Sequence, residues 1–395
     1  MTQFEEMRSG ILEQLDITRE VADKEILDLI DDMILSGGSA RPLTVREKGK
    51  LRRELFDSIR KLDVLQELIE DEQVTEIMVN GYRDIFVERE GKISRHDRQF
   101  SSGEKLEDVI QQIVGRCNRV VNEQAPIVDA RLENGARVNV VLYPVALNGP
   151  ILTIRRFPDR PITMERLIAG QSITREAADF LQGIVASGYS VMIGGGTSSG
   201  KTTFLNALSH FIPRDERIIT IEDNAELQIQ DVENLVRLEC RAANLEENRE
   251  ITMDDLIKTA LRMRPTRVIV GEIRGGEAKS YITSLNLGHH GSMATAHANS
   301  AREMISRLEM MVLMGMELPL PAIRRQVASG VEILIHLGRD REGHRRVEEI
   351  AEVQGMVGEE VAVRTLFGLE SEKLVRREPL GHREKLERAG YETAV

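Results

Sequence analysis

Between residues 195 and 203 the chain reads Gly195-Gly196-Thr197-Ser198-Ser199-Gly200-Lys201-Thr202-Thr203. The spacing is G-x-x-x-x-G-K-T, the pattern of a phosphate-binding loop. Ser190-Val191-Met192-Ile193 ahead of it is short and apolar, as in a buried strand. Phe204, Leu205, Leu208 and Phe211 behind it recur at helical spacing. The residue types follow from the task. Backbone N–H groups must close around phosphate oxygens, and a Cβ would obstruct them, so glycine is required. The helix beginning near Gly200 aims its positive end at the phosphates. Lys201 reaches the β- and γ-phosphates, and the Thr202 hydroxyl ligates Mg²⁺. The plain alternative is an ordinary Gly/Ser turn between a strand and a helix, and the flanking periodicity weighs against it.

At 395 residues the chain has room for two domains and a sizeable core. A net charge of −12 argues against bulk affinity for nucleic acid or anionic lipid. Cys117 and Cys240 lie far apart and fit no metal spacing, so a reducing compartment is expected. The acidic start lacks the apolar run of a signal peptide. No stretch approaches the roughly 18 apolar residues of a membrane span, so a membrane role has to come through a partner.

Residues 1 to about 60 read as helices. Ile26, Leu27, Ile30, Met33 and Ile34 form one stripe, and Leu51, Leu55, Ile59 and Leu62 another. A break at Ser36-Gly37-Gly38-Ser39 and Pro42 separates them. A helical appendage and a docking arm both fit. From 70 to 157 the pattern becomes α+β. Strands are expected at 74–79, 85–90, 128–132, 137–142 and 151–155, with Asn80-Gly81 and Asn134-Gly135 as turn signals. Leu106, Val109, Ile110, Ile113 and Val114 mark a helix among them. Phe157-Pro158-Asp159-Arg160-Pro161 reads as a stiff linker. Beyond it strands and helices alternate, which predicts a mostly parallel sheet. The charged tail from about 370 is expected to be a helical or partly ordered extension. The expected division is therefore 1–62, 63–156, a hinge at 157–164, and 165–395.

Two apolar runs end in acids. Arg217 to Glu222 leads into Asp223 and, one turn on, Glu226. Carboxylates at a strand end beside a phosphate loop can orient or deprotonate an attacking water. Asp223 with Glu226 equally fits a helix capping box. Arg267 to Gly271 ends in Glu272, which can hold the metal through water or polarise the nucleophile. Three histidines, His289, His290 and His297, fall within a short span and do not have zinc spacing. A γ-phosphate sensor is the sharper reading and a satisfied structural histidine the plain one. Met304, Met310, Met311, Met314 and Met316 lie near one helix. Core packing is the default for them, with an adaptable partner surface as the other reading.

With these pieces in order, the chain resembles the type II/IV secretion ATPase superfamily, and within it the Flp/Tad pilus assembly ATPases of the CpaF type. The matching text includes Val74-Thr75-Glu76-Ile77-Met78-Val79-Asn80-Gly81, Thr153-Ile154-Arg155-Arg156-Phe157, Thr220-Ile221-Glu222-Asp223, Gly271-Glu272-Ile273-Arg274-Gly275 and Thr295-Ala296-His297-Ala298-Asn299-Ser300. The resemblance implies an α/β fold: a RecA-like P-loop ATPase domain after a small α+β, PAS-like N-domain and an N-terminal helical segment. It implies a cytoplasmic homo-hexamer that binds ATP and Mg²⁺ and docks on a polytopic platform protein at the inner membrane. No nucleic acid is expected. By position, Glu222, Asp223 and Glu226 match the family's Asp box, with Glu226 the catalytic glutamate and Glu222 a further catalytic candidate. Glu272 matches the Walker B glutamate, a metal ligand together with Thr202. His289 and His297 match the His box. Arg137 and Arg155 match N-domain arginines that approach the phosphates, with Arg131, Arg156 and Arg241 as further candidates. Departures include Cys240 where Thr is common, the acids around Glu246 and Glu247 in place of a Gly-rich stretch, and His290 where an acid is usual. A RecA-like nucleic-acid motor is the alternative, with a small-molecule kinase and a nucleotide-gated scaffold behind it.

Arginines that complete a phosphoryl-transfer site contribute about 10³–10⁵ in rate. Arg137→Ala is expected to leave nucleotide affinity largely intact and to slow turnover. Equal losses of affinity and rate in a titration and a steady-state assay would make Arg137 a simple binding residue.

Overall fold

The computed structural model describes residues 3–15, 21–36, 43–89, 91–117, 119–132, 135–156, 161–241, 250–340 and 342–391. The chain separates into two units, Met1–Asp159 and Arg160–Val395. Residues 157–160 of the expected hinge at 157–164, residues 37–42 of the expected break, Asn134 of the second turn signal, and residues 242–249, which include Glu246 and Glu247, lie outside the described residues.

The first unit opens with α1 (Gln3–Gln14), α2 (Asp23–Ser36), α3 (Val45–Arg60) and α4 (Val64–Glu70). Thr44 starts α3 through a capping box with Glu47, which satisfies amides the helix itself leaves open. Ile26, Ile30 and Ile34, the expected stripe of α2, bury against Ile11 and Leu55. Next come β1 (Val74–Asn80), β2 (Ile85–Arg89), β3 (Lys92–Arg95), α5 (Gly103–Arg116), β4 (Ile127–Arg131), β5 (Arg137–Val141) and β6 (Ile151–Arg155). The strands form one antiparallel sheet in the order β3-β2-β1-β6-β5-β4. Strand β3 was not anticipated. It is a short edge strand whose four residues are all exposed, so it carries no apolar alternation to read. On one face Ile77, Val79, Val138, Val140, Leu152 and Ile154 pack with Leu106, Val109, Ile110 and Ile113 of α5. On the other face, register places Glu88, Glu76, Arg155, Arg137 and Arg131 side by side across five neighbouring strands.

The second unit contains α6 (Met164–Ala169), α7 (Arg175–Ala186), β7 (Val191–Gly195), α8 (Lys201–Ser209), β8 (Ile218–Glu222), β9 (Leu235–Glu239), α9 (Met253–Ala260), β10 (Arg267–Ile273), α10 (Ala278–Asn286), β11 (Met293–Ala296), α11 (Ala301–Gly315), α12 (Leu320–Gly330), β12 (Ile333–Arg339), β13 (Arg345–Val357), β14 (Glu360–Glu370), β15 (Lys373–Arg376) and α13 (Glu384–Ala389). The sheet order is β15-β14-β13-β12-β7-β11-β10-β8-β9. From β12 to β9 every pairing is parallel, as expected from the alternation of strands and helices. Both faces are covered. Val191, Ile193, Ile218 and Ile269 pack with α7 and α8, while Met192, Ile219, Val268 and Ala294 pack with α9 to α12. Among the described residues no helix is long and apolar enough to cross a membrane.

The C-terminal region departs from expectation. From Arg345 the chain turns back on itself, and β13, β14 and β15 extend the sheet antiparallel. The alternation there is diluted by Glu and Arg, but Val347, Ile350, Phe367 and Leu374 still enter the core. Residues after 370, expected as a helical or partly ordered extension, include the strand β15 and the helix α13 and dock through Leu374, Leu380 and Leu386. Glu352 is almost wholly buried and accepts N–H bonds from Gly381 and His382, each under 3 Å.

The methionines of α11 divide. Met304 and Met311 are core residues, whereas Met310 and Met314 are exposed.

At the edge where the parallel strands begin, Arg267 is 2% exposed. It grips Glu216 with two bonds, of 2.5 and 2.6 Å, and donates to the Val185 carbonyl. Removing one partner strands the other. Arg267→Ala is expected to lower the free energy of unfolding by about 3–5 kcal/mol, seen as a lower urea midpoint. An unmoved midpoint would mean that the pair carries no net stability.

Candidate active site

Parallel pairing sends the C-terminal ends of β7, β8, β10 and β11 to one edge of the sheet, and the loop after β7 lies there. Gly195 is the last residue of the strand. A Cβ on it would stand 2.6 Å from the Leu337 carbonyl oxygen and would press on the Ser199 hydroxyl, so only glycine fits. Ser198 and Gly200 take φ of +58° and +92°, the left-handed turns that bend the loop back over the start of α8. Gly196, Thr197 and Ser198 are exposed, Ser199 is buried, and Thr202 and Thr203 are half-buried in the first helical turn.

Lys201 is buried, with Nζ donating to the carbonyl oxygens of Gly195 (3.1 Å) and Gly196 (3.0 Å). The same Nζ stands 3.4 Å from His297 Nδ1 and 3.7 Å from Glu272 Oε1. Glu272, near the end of β10, is gripped on its other oxygen by Arg274 through Nε (2.8 Å) and Nη2 (2.5 Å). Arg274 also reaches Asp223 Oδ2 at 3.4 Å, so one guanidinium joins the two acid-bearing strand ends. His297 Nε2 lies 2.9 Å from Glu272 Oε1, but too poorly aligned for a hydrogen bond. Burial and the Lys201 charge hold the His297 imidazole below its ordinary range, against the pull of Glu272.

Glu222 occupies a different place from the one expected of a catalytic acid. It is 2% exposed, and its Oε1 accepts the N–H groups of Glu226 (2.9 Å) and Leu227 (2.8 Å). A Cβ on Gly271 would come within 3.0 Å of its Cγ, so that glycine makes its room. Asn206 of α8 takes the next amide, that of Gln228, at 2.9 Å. Glu222 therefore shapes the loop that carries Glu226. The capping alternative for Asp223 and Glu226 also fails, because an extended loop follows β8 where a helix would have to start. Burial pushes Glu222 up to about 7, with the two amides opposing it. Burial, then the neighbouring Asp223 carboxylate, pushes the Cys240 thiol up to about 12, so it stays a thiol.

The structure does not bring His289 to the loop. Met293 pairs with Val191 and Ala296 with Gly194, so the residues before Met293 sit at the opposite edge of the sheet from Lys201. The His289 carbonyl accepts the Ser292 hydroxyl there. Arg137 and Arg155 are direct cross-strand partners, with Arg131 beside Arg137, all within the first unit. Arg156 instead donates to the Asp71 and Val74 carbonyls, a bracing role.

Sequence reasoning gave no role to Arg274 or Asn206. The signals for Arg274 are its place two residues after Glu272 and within the matching text Gly271 to Gly275, and Asn206 shows none.

Among the described residues no cluster of three metal-ligating side chains exists. A Mg²⁺ bound chiefly by phosphate oxygens and water needs only one or two protein groups. Thr202 and Glu272 fit that demand, and Glu272 Oε1 is a buried oxygen without a hydrogen-bond donor.

The family model for type II/IV secretion system proteins matches residues 59–365. A putative conjugal transfer protein of Mycobacterium tuberculosis is 34% identical over 79% of this chain and 90% of its own length. The type IV secretion system protein VirB11 of Brucella suis is 32% identical over 70% of this chain and 84% of its own. The structure of the ATPase DotB of Legionella pneumophila superposes with a TM-score of 0.52 at 20% identity. It covers 72% of this chain and 77% of its own, a likeness of fold: an N-domain followed by a RecA-like domain.

Glu222 binds its proton more tightly folded than unfolded. That stabilisation is complete below the ordinary 4.5 and is lost as pH rises through about 7. Wild-type stability is expected to fall across this window relative to Glu222→Gln, by about 3 kcal/mol at its upper end. Parallel slopes in urea titrations from pH 5 to 8 would exclude a raised Glu222.

Proposed function

Because the chain belongs to the type II/IV secretion system protein family, we propose that it is a P-loop ATPase of a Flp/Tad-type pilus or type II/IV secretion machine. It acts as a homo-hexamer at the cytoplasmic face of the inner membrane, docked on a polytopic platform protein. Its hydrolysis of ATP drives assembly or export. The observation that carries the reading is the convergence of Lys201, Glu272, His297 and Arg274 beside the loop at Gly195 to Gly200.

The loop amides and Lys201 bind the β- and γ-phosphates, with Lys201 exchanging its two loop carbonyls for phosphate oxygens. Glu226 orients the attacking water and takes its proton, on a loop held in place by Glu222 and Asn206. Thr202 and Glu272 would hold a Mg²⁺, which when bound would supply charge neutralisation at the phosphates. His297, against both Lys201 and Glu272, senses whether a γ-phosphate is present, because a change in charge there alters both neighbours. Arg137 and Arg155 add positive charge to the phosphates. The net charge of −12 supports a protein rather than a nucleic acid as the object moved.

Phosphate release is expected to vanish in Lys201→Ala and to fall by about 10²-fold or more in Glu272→Ala. It is expected to come from a species of about six subunits and to rise with the platform's cytoplasmic region. Wild-type turnover in Lys201→Ala would overturn the site. Turnover from a monomer that ignores the platform and responds to single-stranded DNA would turn the reading to a nucleic-acid motor.

A further inference from the structure

We propose that Arg345, at the start of β13, is a positioning residue that fixes the phosphate loop in its binding shape. The proposal rests on the reading of residues 195–203 as a nucleotide site. Strand β12 pairs with β7 up to Leu337 opposite Gly195, then runs on through Gly338 and Arg339 alongside the loop. The turn after it brings the chain back, and Arg345 pairs with Arg339. The Asp340 carboxylate tightens that turn by accepting the amides of Glu342 and His344, both at 2.9 Å. From there Arg345 Nε donates to the Ser198 carbonyl oxygen at 3.0 Å. Its stem lies against Gly200, where an added Cβ would meet Arg345 Cδ at 3.4 Å.

The consequence follows from peptide geometry. In a trans peptide the C=O and the following N–H point in opposite directions. Anchoring the Ser198 carbonyl outward on Arg345 therefore turns the Ser199 N–H inward, into the hollow of the loop. Gly196 O receives that amide at 3.3 Å, and Lys201 Nζ enters the same hollow. Ser198 holds a left-handed φ of +58° that a non-glycine residue keeps only when its surroundings impose it. Arg345 holds the carbonyl of that residue from outside the loop. The same strand holds the other wall of the site, where Glu349 Oε2 accepts the first amide of α11, Ala301, at 3.3 Å, just beyond the His297 segment.

A positioning role depends on the donor at Nε and not on the charge, and this separates the variants. In Gln the side-chain nitrogen stands as many bonds from the backbone as Arg Nε does, whereas Lys has a methylene there. The test is the affinity of the full-length protein for fluorescent ADP and for a non-hydrolysable ATP analogue, with thermal unfolding of the nucleotide-free protein as the folding control. Arg345→Ala is expected to weaken both nucleotides by a similar factor, on the order of 10-fold, with kcat little changed and the unfolding midpoint retained. Arg345→Gln is expected to restore most of the affinity, and Arg345→Lys not to. Affinity kept by Lys and lost in Gln would make Arg345 a phosphate-contacting charge and overturn the proposal. So would wild-type affinity in Ala. Lys201→Ala run alongside separates the two readings: if it also binds as wild type, the nucleotide site itself is wrong, and if it alone loses binding, only the role of Arg345 falls.

Discussion

Parallel pairing is the constraint on which the second unit depends. Strands that all point one way deliver their loops to one edge, and that edge is where helix N-termini and strand ends meet. The loop after β7, the acids after β8 and near the end of β10, and the histidine after β11 are separated by dozens of residues in sequence. They become neighbours because Val191, Ile218, Ile269 and Met293 share one core. The same rule excludes His289. It lies in the same short histidine run as His297, yet four strand residues carry the chain across the sheet between them.

Much of the chemistry at that edge consists of charges restrained by other charges. Lys201 faces Glu272, Glu272 faces Arg274, and Arg274 reaches Asp223. Lys201 and Glu272 are the more buried end of this chain and Arg274 and Asp223 the more exposed, and the shared contacts let a change at one position reach the next. Glu222 stands apart. Taken out of solvent and given two backbone amides, it stores its influence in the shape of a loop, and Gly271 and Asn206 have their sequence identities for the same reason.

The phosphate loop, the parallel core and the antiparallel first sheet were legible because each has a short-range signature: a glycine spacing, buried apolar runs, and alternation broken by Asn-Gly. Strand β3 and the β13–β15 extension were not, because an exposed edge strand has no alternation and Glu and Arg interrupt the apolar positions of the others. At the site, Lys201, Glu272 and His297 are drawn together as the motifs suggested. The buried role of Glu222 was hidden because an acid at a strand end looks the same facing water or facing Gly271. Contacts such as Arg274 with Asp223, Asn206 with Gln228 and Arg345 with Ser198 span long sequence separations. Nothing in a single chain marks partners of that kind before the fold brings them together.

The cross-strand row on the open face of the first sheet has a consequence of a different sort. Glu88 and Glu76 neighbour each other, then Arg155, Arg137 and Arg131 follow on successive strands, at a spacing of about 5 Å. The like-charged steps of the row oppose pairing, while the Glu76–Arg155 step favours it and Asp129 shares the face of β4 with Arg131. Gaps of that size lie inside a Debye length of roughly 8 Å at physiological ionic strength, so dissolved salt leaves most of these interactions in place. The row therefore keeps its polarity in physiological salt, acidic towards β2 and basic towards β4, running across the strands rather than along them.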